Sequence, residues 1–120
     1  RLGRETLMLE KLFPKKVKDK DVKRFWKDFE DRSELFLNIL KEDEEDSDDR
    51  IWMELLVRKG LNRCCIDSDV PFDFVFETGR DPMRFAFYCK GDAFLKKVGE
   101  KLSEYYPPSL AGKIDFIVAD

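Results

Sequence analysis

Two short aromatic segments, Val70-Pro-Phe-Asp-Phe-Val-Phe-Glu77 and Met83-Arg-Phe-Ala-Phe-Tyr-Cys89, determine the fold class of this 120-residue chain. In each segment apolar residues recur at every second position, which is the pattern of a β-strand with one face buried. Residues 78–82 between them include glycine and proline and are typical of a turn. The two segments therefore predict an antiparallel hairpin with its phenylalanines on one face.

The charges at the ends of these segments indicate how the strands pair. Placing Glu77 opposite Arg84 also sets Phe76 opposite Phe85, so that opposite charges and like faces meet. A register shifted by two residues would also preserve the faces and is the open alternative. The charge pair therefore favours this register.

A first helix is predicted over residues 21–40, where apolar residues recur at spacings of three and four. Asp19 or Asp21 is expected to serve as its N-cap. Trp26 lies on the apolar stripe of this helix, so we expect it to be buried between the helix and the sheet.

A second helix is predicted after the acidic segment 41–49, with its N-cap within residues 46–48. The acidic segment lacks the glycine spacing of a calcium-binding EF-hand loop and is expected to be solvated. We expect the helix to continue through Gly60 to about Arg63. Its expected inward residues are Ile51, Trp52, Leu55, Leu56 and then Leu61 or Cys64.

A third helix and a last strand complete the pattern. Gly91 and Asp92 end the second strand and start the helix, Pro107 and Pro108 stop it, and apolar residues alternate over residues 114–118. The intervening helix allows this strand to return parallel to the second one. The order ααββαβ predicts an α+β two-layer sandwich, with a small mixed three-stranded sheet and helices on one face.

Residues 1–20 are expected to form a basic N-terminal arm, and residues 21–120 a single domain. The arm carries seven basic and three acidic residues together with several leucines. A short amphipathic segment of this kind can touch an anionic membrane surface weakly, and packing on the domain is the favoured alternative. The chain begins at Arg1 rather than at a methionine, which is expected of a processed or partial chain.

The composition narrows the function classes. The formal net charge of −3 does not attract a phosphate backbone, so nucleic acid is not an expected partner. No apolar segment reaches the roughly 18–20 residues that a membrane-spanning helix needs. Three cysteines, an odd number with two adjacent, indicate free thiols in a reducing compartment, so we expect a cytoplasmic protein.

No motif specifies a catalytic, metal or cofactor site, and histidine is absent. Cys89 precedes a predicted helix N-terminus, where a thiolate can be stabilised, and is therefore a candidate reactive thiol, with a packing role as the favoured alternative. The leading hypothesis is a non-enzymatic protein-interaction module of an adaptor, regulator or immunity type. The alternative is a small carboxylate- or cysteine-dependent enzyme acting in an oligomer or a larger chain.

The uncovered face of the predicted sheet is the expected interaction surface. Its partner would be another protein or a second copy of the chain, because the open edges of a small sheet can pair with a two-fold mate. The candidate interface residues are Val75, Arg84, Ala86, Tyr88 and Ile117.

The segment Phe25-Trp26-x-x-Phe29, the phenylalanine-rich hairpin and a helix ending in Tyr105-Tyr-Pro-Pro108 together have a familiar arrangement. It resembles a family of uncharacterised bacterial proteins described as a domain of unknown function, over about residues 22–118. That family has F-W-x-W-F in its helix, whereas Asp28 stands here in place of the second tryptophan. The resemblance implies a bacterial, cytoplasmic α+β domain and no particular reaction.

Overall fold

The structure, a computed structural model, describes residues 15–120. It confirms the α+β class, and residues 1–14, most of the predicted basic arm, lie outside the described residues. The elements in chain order are α1 (Asp19–Asp31), α2 (Ser33–Glu42), α3 (Asp48–Cys64), β1 (Asp73–Glu77), β2 (Met83–Tyr88), α4 (Ala93–Glu104), a 3₁₀ turn (Pro108–Leu110) and β3 (Ile114–Ala119).

The sheet is mixed and three-stranded, with β2 in the centre. Strands β1 and β2 are antiparallel, and Glu77 pairs with Arg84 as predicted from their charges. Strand β3 returns parallel to β2 after α4, which places Phe85 beside Phe116. The predicted hairpin register and the parallel crossover are therefore both confirmed.

The helix predicted over residues 21–40 is two helices, separated at Arg32. The backbone of Arg32 leaves helical geometry, with φ −108° and ψ 11°. Helix α2 buries Phe36, Leu37, Ile39 and Leu40, which form a wider apolar side than the stripe of α1.

Neither Asp19 nor Asp21 is the N-cap of α1, contrary to the sequence prediction. Lys18 occupies that position and makes no side-chain cap, while both aspartates lie in the first turn. The Asp19 carboxylate instead accepts a 2.8 Å hydrogen bond from the Tyr105 hydroxyl at the end of α4. It therefore ties the start of α1 to α4, and a carboxylate in the first turn still interacts favourably with the helix dipole.

Trp26 is buried between α1 and the sheet, as predicted, and is 3% exposed. Its ring lies edge-on to the rings of Phe85 and Phe116, with centroids 6.1 and 5.4 Å away. Both of these residues belong to the phenylalanine face of the sheet. The helices therefore cover the face that the alternation of phenylalanines had marked.

Gly60 lies inside α3, and the helix continues to Cys64, close to the predicted end. A Cβ at Gly60 would lie 2.8 Å from the Phe25 ring of α1. The missing side chain thus allows α1 and α3 to pack closely, which offsets the cost of glycine within a helix.

Candidate functional site

Helix α3 is apolar on two opposite sides. The buried side consists of Met53, Val57, Leu61 and Cys64, preceded in the first turn by the buried Arg50. The other side carries Ile51, Trp52 and Leu55, whose exposed fractions are 49%, 43% and 62%. The prediction that these three residues face inward was wrong, whereas Leu56 is partly buried and both Leu61 and Cys64 are buried, as predicted.

The sequence does contain a signal that separates the two sides of α3. The stripe through Met53 and Val57 stays apolar from there to Cys64, and the charged residue before it, Arg50, lies in the first turn. The stripe through Trp52 and Leu55 instead ends at Lys59 in the next turn. Arg50 is buried but paired, because its Nε atom donates a 2.7 Å hydrogen bond to the Glu54 carboxylate, so the longer apolar stripe packs inward without leaving an unpaired charge in the core.

Helix α2 also carries one exposed apolar residue. Leu35 is 49% exposed, and Phe36, the next residue in the chain, lies with its ring edge-on to the Trp52 ring at 6.3 Å. We call this set, Leu35, Ile51, Trp52 and Leu55, the outer apolar surface. Exposed groups of large apolar side chains of this kind commonly mark sites of protein association.

Opposite charges flank the outer apolar surface at the two ends of α3. The loop and first turn before it, residues 42–49, carry seven carboxylates. The later half of α3, the neighbouring α1 and the break that follows α1 carry basic side chains that line a cavity of about 280 Å³. These basic residues are Arg24, Arg32, Lys59 and Arg63, with Asp28 as the one acidic residue of the lining.

These charges are available for a partner. Within residues 15–120, none of the four basic side chains and none of the seven carboxylates forms an ion pair. Arg58, on another side of α3, differs because it lies over the Phe74 ring at 4.8 Å and 3.9 Å from the Asp73 carboxylate. The basic end of α3 therefore contains cations that the described part of the fold leaves unpaired.

The structure brings the predicted interface residues together on the outer face of the sheet. They expose less apolar surface there than the outer apolar surface does. Val75 is 42% exposed, whereas Ala86 is fully buried and contributes no accessible surface. Ala86 lies on the central strand between Val75 and Ile117, whose larger side chains flank it. Arg84, Tyr88 and Ile117 are each partly buried.

Arg84 accounts for much of the polar character of this face. Its Nη1 atom lies 3.5 Å from the Glu77 carboxylate, an ion pair across the hairpin. Its Nε atom is buried and has no hydrogen-bond partner among the described residues. The outer face of the sheet therefore consists of a short apolar row, Val75, Ala86 and Ile117, next to the ion pair between Arg84 and Glu77.

Cys89, the candidate reactive thiol, is 4% exposed. Its sulfur lies 3.4 Å from a carboxylate oxygen of Asp120. The predicted cap is present beside it, since the Asp92 carboxylate accepts a 2.9 Å hydrogen bond from the Leu95 amide at the start of α4. The burial of Cys89 is typical of a packing residue, because a reactive thiol has to be accessible.

All three cysteines are free, as expected from their odd number. Burial raises the pKa of both Cys64 and Cys65 to about 12. Both members of this adjacent pair are buried, at 3% and 7% exposure. Cys65 follows the last residue of α3, where the chain turns back over the core.

Two further kinds of feature are a metal site and a membrane-spanning helix. No group of three or more Cys, Asp or Glu residues within residues 15–120 is arranged to hold a metal ion. In the same range, no helix combines the length and apolar character required to cross a membrane.

Comparison with known proteins gives no assignment: no family model, no curated protein and no solved structure matches the chain significantly. The resemblance to the bacterial family with the F-W-x-W-F helix therefore stays a prediction.

Proposed function

We propose that this protein is a non-enzymatic protein-interaction module and that its contact surface is the outer apolar surface. The observation that carries the proposal is the exposure of Trp52 and Leu55 on a helix whose opposite side already fills the core. Trp52 reaches the core at the Phe36 ring, but 43% of it stays exposed, and Leu55 is more exposed still. A partner that covers them gains about 25 cal/mol for each Å² of apolar area removed from water.

The chemical character of the surface also fits protein recognition. Tryptophan is the residue type most enriched among binding hot spots, and such residues are surrounded by polar rims. Trp52 has this setting, with an acidic loop at one end of its helix and unpaired cations at the other. An adaptor, regulator or immunity-type role would use such a surface without any reaction.

The buried free thiols support a reducing compartment and hence a cytoplasmic location, in the bacterial cell that the sequence resemblance implies. The alternative of a cysteine-dependent enzyme has less support, since Cys89 is buried. The outer sheet face remains a second contact surface to test, because Val75 is exposed there.

Site-specific photo-crosslinking in the source cell tests the proposal. A photoreactive residue at position 55 should give one or a few discrete protein adducts, whereas the same residue at the exposed position Lys97 of α4 should not. The substitution Trp52→Glu should suppress the adducts from position 55. Equal adduct patterns from both positions, or none from position 55, would contradict the proposed surface.

A further inference from the structure

We infer that the partner of the outer apolar surface is a second copy of the chain, bound so that the two α3 helices lie antiparallel about a two-fold axis. This inference rests on the function proposed above and specifies its partner. It follows from the order of side chains along one side of α3, which runs from acidic through apolar to basic.

Four residues define this order: Asp48, Trp52, Leu55 and Lys59. Their spacings of four, three and four place them along one side of the helix, because an α-helix has 3.6 residues per turn. All four are exposed. The stripe begins beside the acidic loop and ends near the basic cavity lined by Arg63.

Such a stripe is complementary to itself when one copy is reversed. The two-fold axis passes between Trp52 and Leu55. A residue of one copy then faces the residue of the second copy that lies equally far from the axis in the opposite direction along the helix. Trp52 then faces Leu55 of the second copy, and Asp48 faces Lys59. Beyond the helix, the acidic loop that contains Glu44 lies at the same end as Arg63 of the second copy. Every contact occurs twice, as two-fold symmetry requires.

The charges cannot be satisfied in this way within one molecule. Asp48 and Lys59 are eleven residues apart on one helix, a separation of about 16 Å at 1.5 Å per residue. A parallel pair of helices would instead bring the two acidic loops together, where like charges repel. In the antiparallel arrangement, the acidic end of each α3 helix contacts the basic end of the other. The apolar residues between the two ends are then covered.

A different protein with an acidic segment could occupy the basic end alone. It would leave the seven carboxylates of residues 42–49 without a partner. A second copy provides a cationic patch for the acidic loop and an acidic loop for the cationic patch at the same time. Charge complementarity therefore favours self-association over an unrelated acidic partner.

Paired charge reversal tests this arrangement. One variant reverses the basic end, Lys59→Glu with Arg63→Glu, and the other reverses the acidic end, Glu44→Lys with Asp48→Lys. We expect the unmodified chain to be dimeric by sedimentation velocity at about 100 μM, where a micromolar complex is largely formed. Each variant alone should associate at least about tenfold more weakly, because like charges then face each other.

The mixture of the two variants provides the decisive measurement. In a mixed dimer both ends again pair opposite charges, so equimolar mixing should restore the dimer as a one-to-one heterodimer in native mass spectrometry. A control variant, Lys96→Glu with Lys97→Glu on exposed positions of α4, should dimerise as the unmodified chain does. Circular dichroism of each variant verifies that it is folded.

Three outcomes would overturn the inference: a monomeric unmodified chain, a dimer that neither reversal weakens, or a mixture that fails to restore association. Loss of the dimer in Tyr88→Glu with retention in both charge reversals would assign self-association to the outer sheet face instead. A monomeric chain that still gives Trp52-dependent adducts from position 55 would overturn the second-copy partner while leaving the interaction-module function supported.

Discussion

The indole nitrogen of Trp26 donates a buried 2.9 Å hydrogen bond to the backbone carbonyl of Leu102. Leu102 lies in the last turn of α4, where the carbonyls of a helix have no partner within the helix itself. The indole supplies that partner while its ring packs on Phe85 and Phe116. One side chain of α1 therefore fixes both the sheet and the end of α4.

Two substitutions of Trp26 should separate the contribution of its hydrogen bond from the contribution of its ring packing. Trp26→Phe removes the donor and leaves the Leu102 carbonyl buried without a partner, at a cost of about 1–3 kcal/mol in the free energy of unfolding. Trp26→Ala also creates a cavity and should cost about 3–5 kcal/mol. Urea denaturation measures both values. A Trp26→Phe variant as stable as the unmodified chain would show that the hydrogen bond contributes little.

Helix α4 packs on β3 at Gly99, where a Cβ would lie 2.7 Å from a methyl carbon of Val118. Gly99→Ala gains about 1 kcal/mol in helix propensity but overpacks this contact, which costs about 1–3 kcal/mol. We expect a net loss of stability. The exposed Ser103→Ala on the same helix serves as a control and should not lose stability.

A double-mutant cycle isolates the contact between Gly99 and Val118. Val118→Ala removes the methyl groups that would clash, so the double variant should be more stable than the sum of the single effects by about 0.5–3 kcal/mol. Additive effects would show that the two positions do not interact.

The buried face of the sheet and the register of its hairpin could be predicted from the sequence, because the patterns that define them are local. Alternating phenylalanines defined the buried face, and one charge pair, Glu77 with Arg84, defined the register. The stripe through Trp26 likewise identified a buried tryptophan. Each of these patterns depends on residues that are neighbours in the chain or in one hairpin.

The features that were missed depend on tertiary contacts. The bond from Tyr105 to Asp19 joins residues 86 positions apart, and it replaces the cap that local chemistry favoured. The break at Arg32 has no local apolar signal, because the helical spacing of apolar residues continues across it from Phe29 to Phe36. On α3 two apolar stripes competed, and the candidate site was missed because Trp52 and Leu55 were assigned to the core. The length of the stripes was the signal that could have corrected this, since the buried one runs apolar from Met53 to Cys64 whereas Lys59 ends the other after Leu55.

The contact of Asp19 with Tyr105 predicts a dependence of stability on pH. The hydrogen bond from Tyr105, followed by the one from Lys101, lowers the pKa of Asp19 below its usual value of 3.8. A lowered pKa in the folded state means that the contribution is fully present above pH 3.8 and is lost as the pH falls through the folded value.

Tyr105→Phe should raise the pKa of Asp19 toward its usual value, because it removes the main cause of the shift. The stability difference between this variant and the unmodified chain should therefore shrink as the pH falls from about 5 to about 2. NMR titration of the Asp19 carboxyl measures the pKa directly. The same pKa in both proteins would exclude Tyr105 as the cause.

Burial also predicts how the cysteines react. With pKa values raised to about 12, Cys64 and Cys65 carry almost no thiolate near neutral pH, and Cys89 is equally buried. Thiol labelling of the folded protein should be slow and should accelerate with urea as the fold opens. Labelling of the unfolded, unreduced protein should count three thiols. A count of one would reveal a disulfide.

The two sides of α3 can be compared through one chemical change at two positions. Leu61 is fully buried and Leu55 is 62% exposed, and both lie within the same helix. Leucine to alanine has nearly the same effect on helix propensity at either position, so the difference reports packing. Leu61→Ala should cost about 2–5 kcal/mol, whereas Leu55→Ala should stay within about 0.5 kcal/mol, at a protein concentration where the chain is monomeric. A larger cost at Leu55 than at Leu61 would mean that the helix turns its other side to the core, and the outer apolar surface would then not exist.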